Sequence, residues 1–133
     1  FKERWYGFDD ALYSGARLLE IVAKQDLPSS ELFATLPNAV STPEINVGLK
    51  HDGAQHAYMR QFSKQVQLPG AQITTIDGIR ADYAHGWGLV RASNTTSSLV
   101  VRFEADSNAV IEEIKTSFRE QMLKVDASLE LPF

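Results

Sequence analysis

The sequence predicts an α+β fold. It should form a mostly antiparallel sheet of four to five strands with two helices on one face, preceded by a helical segment of a different structural unit. Three observations carry this. From residue 38 onward the periodicities run β-α-β-β-β-β-α, joined by the short connections that antiparallel pairing allows. The two helical stretches of that region each have a single apolar stripe, which suits covering one face of a sheet. Ahead of them, Pro28, Pro37 and Pro43 crowd into sixteen positions and favour a stiff, extended connection. A boundary is therefore expected near residue 38, dividing the chain into 1–37 and 38–133.

Each element has its own reason. Residues 8–24 place Phe8, Leu12, Ala16, Leu19 and Ala23 at helical spacing, with Asp9 and Asp10 in the first turn, where the helix dipole favours negative charge. After Pro28, Ser29-Ser30 starts one or two helical turns. Glu44 to Leu49 alternates as a strand does. Tyr58, Phe62 and Val66 lie four apart, so 54–66 is a short amphipathic helix. Residues 72–83 form a hairpin whose Asp77-Gly78 suits a type I′ turn. Ile79, Ala81 and Tyr83 share one face of its second strand, and Arg80 and Asp82 the other. Two more strands, 87–92 and 98–105, flank a polar loop. In the last helix Val110, Ile111, Ile114, Phe118 and Met122 make one stripe, with Asp106 or Ser107 as its cap.

Composition removes several function classes. Of 133 residues, 44% are hydrophobic and 23% charged, as in a protein that buries a core. The net charge of −4 gives no broad positive surface for a nucleic-acid backbone or an anionic membrane. Any anion must be held by a local site. The absence of cysteine excludes disulfides and thiolate metal sites and is compatible with a reducing compartment. No apolar run approaches the ~20 residues of a membrane span, and no export signal is read. His51, His56 and His85 lack ligand spacing with carboxylates, so no metal site is expected. The opening "FKERWYGFDDALYSG" reads as though it starts in mid-structure, as a piece of a longer chain would.

The stretch "GWGLVRASNTTSSLVVRFEA", residues 86–105, sets Arg91, Ser93, Asn94, Thr95 and Thr96 together between two apolar strands. A turn rich in Ser, Asn and Thr, whose side chains bond their own backbone, explains this much. So does an anion cup. Arginine offers five donors in a plane that matches phosphate oxygens, hydroxyls add neutral donors, and a tight loop turns backbone N–H groups inward. The residue types leave both readings open. Trp87 and Tyr83 either pack in the core and edge or stack on a sugar ring.

"RASNTTSSLVVRFEAD" resembles the phosphate-binding loop of the C-terminal domain of the phosphomannomutase/phosphoglucomutase family, in the α-D-phosphohexomutase superfamily. The opening "FKERWYGFDDALYSGARLLEI" is similar to the segment that follows the sugar-recognition loop in the third domain of those enzymes. "STPEINV", "DGIRADY" and "GWGLVRASNT" then follow in the family's order, so the resemblance spans nearly the whole chain. It points to the bacterial dual-specificity branch, because phosphoglucosamine mutases have glycine where this chain has Asn94.

The resemblance implies a TATA-box-binding-protein-like C-terminal domain at 38–133 and a remnant of the third domain at 1–37. It carries the family's phosphate contacts onto Arg91, Ser93, Asn94 and Thr95. It implies a cytoplasmic isomerase, serving carbohydrate metabolism and polysaccharide synthesis, that interconverts 1- and 6-phosphates of mannose and glucose. A phosphoserine, a bisphosphate intermediate and a magnesium ion carry that chemistry, all bound outside this chain. The partners are then hexose phosphates and the remaining domains of the parent chain. None of the family's catalytic serine, metal or sugar loops is found here, so this chain alone should be inactive. Lys2, Glu3 and Arg4 would continue the wall of the third domain, and Ser41-Thr42-Pro43 would act as a hinge. Ser97 stands where these enzymes often have proline, which puts the stiffness of the loop in question. The alternative is a free-standing, non-catalytic binding module of the same fold.

Overall fold

The computed structural model describes residues 3–133, and Phe1 and Lys2 lie outside them. The chain divides into two compact units, Phe1–Asn38 and Ala39–Phe133.

In the first unit the Asp10 carboxylate accepts the Tyr13 N–H at 2.9 Å, so Asp10 is the N-cap of helix α1, Ala11–Ala23. The helix thus begins three residues later than the apolar spacing suggests. Asp10 satisfies its first turn from outside, and Gly7, at φ 85°, precedes it. Trp5 stacks on Tyr13 with ring centroids 4.5 Å apart. No residue of α1 is buried, and its stripe residues Phe8, Leu12 and Leu19 are exposed. Helix α2, Ser29–Ala34, follows Pro28 as the serine pair predicts.

The second unit opens with β1, Val40–Ser41, and β2, Ile45–Gly48. Helix α3, Ala54–Gln65, starts behind Gly53, and then come β3, Gln72–Thr74, and β4, Ile79–Tyr83. Strands β5, Gly86–Ala92, and β6, Ser98–Ala105, flank the polar loop, and α4, Asn108–Val125, closes the chain. Ser107 is the cap of α4, its hydroxyl accepting the Val110 N–H.

All pairings are antiparallel, in the order β1-β6-β5-β4-β3, with β2 also on β6. The α+β class is as expected, with β1 an added sixth strand that propensity over two residues could not show. It lies on the Ser41-Thr42-Pro43 segment, where a hinge is expected. Ser41 lies opposite Glu104, Thr42 N donates to Phe103 O at 2.9 Å, and Phe103 N donates to Thr42 Oγ1 at 3.1 Å. Backbone and side-chain hydrogen bonds thus hold Ser41 and Thr42 along one edge of β6.

The core lies between the sheet and its two helices. Alternation sends Leu99, Val101, Phe103 and Ala105 of β6, Val90 of β5, and Ile79 and Ala81 of β4 to one face. Phe62 of α3 and Ile111, Ile114, Phe118 and Met122 of α4 meet them, as their stripes predict. Phe118 stands edge-on to Phe103 at 5.4 Å. Tyr58 Oη donates to Met122 O at 2.8 Å, bonding a carbonyl of the last turn of α4.

The connection after β3 is not the type I′ turn that Asp77-Gly78 suggests. Thr74 pairs with Arg80, so the loop is longer than two residues, and only Gly78 has positive φ, at 84°. A Cβ at Gly78 would fall 2.2 Å from Val90 O, so glycine is needed for close approach to β5 as well as for the turn.

Candidate functional site

The face of the sheet away from the helices carries Arg80 and Asp82 of β4, Arg91 of β5, Val100 of β6 and Asn46 of β2, by the same alternation. Arg80 grips Asp82 with Nε at 3.0 Å and Nη2 at 2.7 Å, and its guanidinium lies 4.0 Å above the Trp87 ring. Trp87 is therefore taken by a cation rather than open to a sugar. Tyr83 is half-buried among the residues packed on the core, and burial pushes its hydroxyl pKa up.

At the β5–β6 end of the sheet a concavity of about 640 Å³ is lined by Arg91, Ser93, Asn94, Thr95, Thr96 and Ser98, with Val100 at its floor. All four residues singled out from the sequence meet there. Glu44 and Asn46 complete the wall, 45 residues or more upstream of Arg91 and invisible as neighbours until β2 pairs with β6. The register Asn46↔Val100↔Arg91 puts them on one row across three strands. Asn46 Nδ2 donates to the Glu44 carboxylate at 3.4 Å.

Arg91 is half-buried at the strand end, its Nη1 3.9 Å from Asp77 Oδ2. That distance is too long for a hydrogen bond, and the Asp77 carboxylate is mostly exposed, so the pair is weak. Most of the guanidinium's hydrogen-bonding capacity is uncommitted.

Ser93 is buried at the centre of the loop. Its Oγ accepts from Thr95 N at 3.3 Å, Thr96 N at 3.2 Å and Thr96 Oγ1 at 2.8 Å. Thr96 Oγ1 lies 2.8 Å from Ser98 Oγ, also buried. Ser93 N donates to Ser98 O at 2.9 Å, and Ser98 N to Thr96 O at 2.8 Å. The expected cup of inward backbone N–H groups is therefore only partly formed, because Thr95 and Thr96 spend theirs on Ser93. One oxygen accepting three donors has no room for its own proton among them. With Thr96 donating to Ser93, Ser98 donates to Thr96, and the Ser93 hydroxyl proton has no acceptor within this network.

Among the described residues, no group of three or more His, Cys, Asp or Glu side chains could hold a metal ion. His85 lies on the exposed β4–β5 turn with Nδ1 3.0 Å from Asp106 Oδ2. No described helix is long and apolar enough to cross a membrane.

What the arrangement can do chemically is hold a compact anion by one planar cation and several neutral donors. Residues 42–121 match the sequence profile of the phosphoglucomutase/phosphomannomutase C-terminal domain. The phosphomannomutase/phosphoglucomutase of Pseudomonas putida is 54% identical over 132 residues, covering 99% of this chain and 28% of that protein. The phosphoglucomutase of Neisseria gonorrhoeae is 50% identical over 120 residues, 90% of this chain and 26% of that one. A crystal structure of a phosphoglucomutase/phosphomannomutase family protein from Burkholderia thailandensis superposes with a TM-score of 0.82 at 45% identity, over all of this chain and 28% of that one. The chain thus spans about 28% of the length of these relatives. With the profile matched over β2 to β6, α3, the polar loop and most of α4, the chain belongs to the phosphoglucomutase/phosphomannomutase family and carries its C-terminal domain.

Proposed function

We propose that this chain supplies the substrate-phosphate grip of a bacterial hexose-phosphate mutase that interconverts mannose or glucose 1- and 6-phosphates. Arg91, Ser93, Asn94 and Thr95 hold the phosphate that is not being transferred. Residues 1–37 are then the end of the preceding domain, and 38–133 the last one. The observation that carries this reading is the convergence of an almost uncommitted Arg91 guanidinium with Ser93, Asn94 and Thr95 in one concavity.

A phosphomonoester carries about −1.5 to −2 charges at pH 7. Arg91 neutralises part of that charge through a bidentate contact that also sets orientation. The Ser93 and Thr95 hydroxyls and the Asn94 amide add donors without adding charge. Such a set holds an anion firmly enough to orient it and releases it when the intermediate must turn over. The nearby Glu44 carboxylate works against tight binding in the same direction, screened by solvent at its exposed position. The magnesium ion implied for the whole enzyme finds no ligand set among the described residues.

The test is an NMR titration of the chain with glucose 1-phosphate, repeated with Arg91→Ala. Shifts should concentrate on the amides of residues 91–96 and vanish in the variant. Loss of the charge-assisted contact should weaken binding roughly 10- to 150-fold. Shifts elsewhere, or shifts unchanged in Arg91→Ala, would overturn the assignment.

A further inference from the structure

The loop from Ser93 to Ser97 is exposed at Asn94, Thr95 and Thr96, and fixing such a segment costs backbone entropy. The hydroxyl network described above acts inside the loop. Something outside must hold its two ends, and the structure shows what does so. Both ends are bound from the start of α3. Gln55, buried in the first turn, donates Nε2 to Ser93 O at 3.3 Å. Ser97 Oγ donates to the carboxylate of Asp52, which lies just before the helix begins. Leu49 N donates to Ser97 O at 2.8 Å, adding a backbone tie at the same end.

Neither Asp52 nor Gln55 lines the concavity. Asp52 also carries the wrong charge to hold an anion, while its place at the N-terminal end of α3 is one the helix dipole favours for a carboxylate. Their contribution therefore runs through Ser93 and Ser97. Gln55 fixes the carbonyl of the residue whose hydroxyl is aimed by the network, and Asp52 fixes the loop's exit.

We propose that Asp52 and Gln55 are positioning residues that hold the 93–97 loop in its anion-binding shape. This rests on the reading of that loop as the phosphate site. Ser97 has no ring to fix its backbone, and the Asp52 bond supplies the restraint instead. Among the described residues the Ser97 N–H donates no hydrogen bond, so a proline at this position would sacrifice none.

The experiment is steady-state mutase kinetics of the full-length protein with glucose 1-phosphate. Asp52→Ala should raise KM about three- to tenfold, the net worth of one hydrogen bond, with kcat unchanged. Asp52→Asn keeps an acceptor oxygen and should behave as the parent. Adding Ser97→Pro to Asp52→Ala should restore KM. Gln55→Leu should raise KM in the same way. An unchanged KM in Asp52→Ala, or a lowered kcat at constant KM in either variant, would overturn the inference and leave these residues to folding alone. A KM in Asp52→Ala that Ser97→Pro does not restore would equally overturn it. Arg91→Ala run in parallel separates the two levels. If it too leaves KM unchanged, the phosphate-site reading itself fails.

Discussion

Ser93 shows how much one small side chain is asked to do. Its carbonyl, amide and hydroxyl are all bonded, and the only freedom left is the direction of one proton. That proton is aimed by Thr96, which must keep its own hydroxyl to do so. Thr96→Val keeps the shape of the side chain and removes the donor, so the Ser93 proton can turn inward to no purpose. Phosphate binding in the NMR titration should weaken by roughly two- to tenfold, the worth of one hydrogen bond, and Thr96→Ser should restore it. Equal binding by Thr96→Val and the parent would show that the hydroxyl order is irrelevant. The participation of Arg91, Ser93, Asn94 and Thr95 in one place was legible in the sequence, because residues that follow one another around a tight loop have nowhere else to go. That the Thr95 and Thr96 amides would be spent on Ser93 was not, since it depends on the rotamer of one serine.

The elements differ in what secures them. Helix α4 has a capping serine and a stripe buried against the sheet, and both features stand in its sequence. Helix α1 buries nothing and relies on its cap and on charge. Glu20 receives Lys24 Nζ at 2.8 Å and Arg4 Nη2 at 2.9 Å. These hydrogen bonds, Lys24 first and Arg4 second, hold its carboxyl pKa at about 2 against an ordinary value of 4.5. A depressed folded-state pKa stabilises the fold above pH 4.5, and the contribution disappears as pH falls from 4.5 towards 2. Carboxyl NMR should therefore find Glu20 titrating well below ordinary glutamate. Arg4→Ala or Lys24→Ala should move its midpoint up, and salt should do the same because the cluster is exposed. An ordinary midpoint in the parent would mean that the cluster does not persist in solution. The opposite case is Tyr58, whose phenol is pushed up first by burial and then by the Asp126 carboxylate, consistent with a hydroxyl committed to Met122 O.

At the scale of the whole molecule, β6 organises the second unit. It pairs with β1, β2 and β5 and brings Glu44 and Asn46 beside the loop that leads into it. Among the described residues the core of that unit draws on residues from Ile45 onward. Residues 39–133 expressed alone should give a dispersed NMR spectrum with the same contacts at 91–98. Residues 1–38 alone should show little helix by circular dichroism, because isolated helices of about 12–15 residues or fewer are marginal in water. A collapsed, undispersed spectrum for 39–133 would contradict this division of stability.

The sequence by itself determined the helices, the strands other than β1, and the buried faces of the second unit, because a period of 3.6 or 2 is written residue by residue and each stripe there needs only one apolar partner surface. It also determined the resemblance to a sugar-phosphate mutase, and with it the residues around Arg91. Tertiary structure alone decided the pairing of β1 with β6, because two residues carry no period to read. It alone decided that Asn46 shares a row with Arg91, and that Asp52 and Gln55 reach the two ends of the loop. Those contacts join positions about 40 residues apart or more, and a one-residue change in strand register would have sent every side chain to the other face.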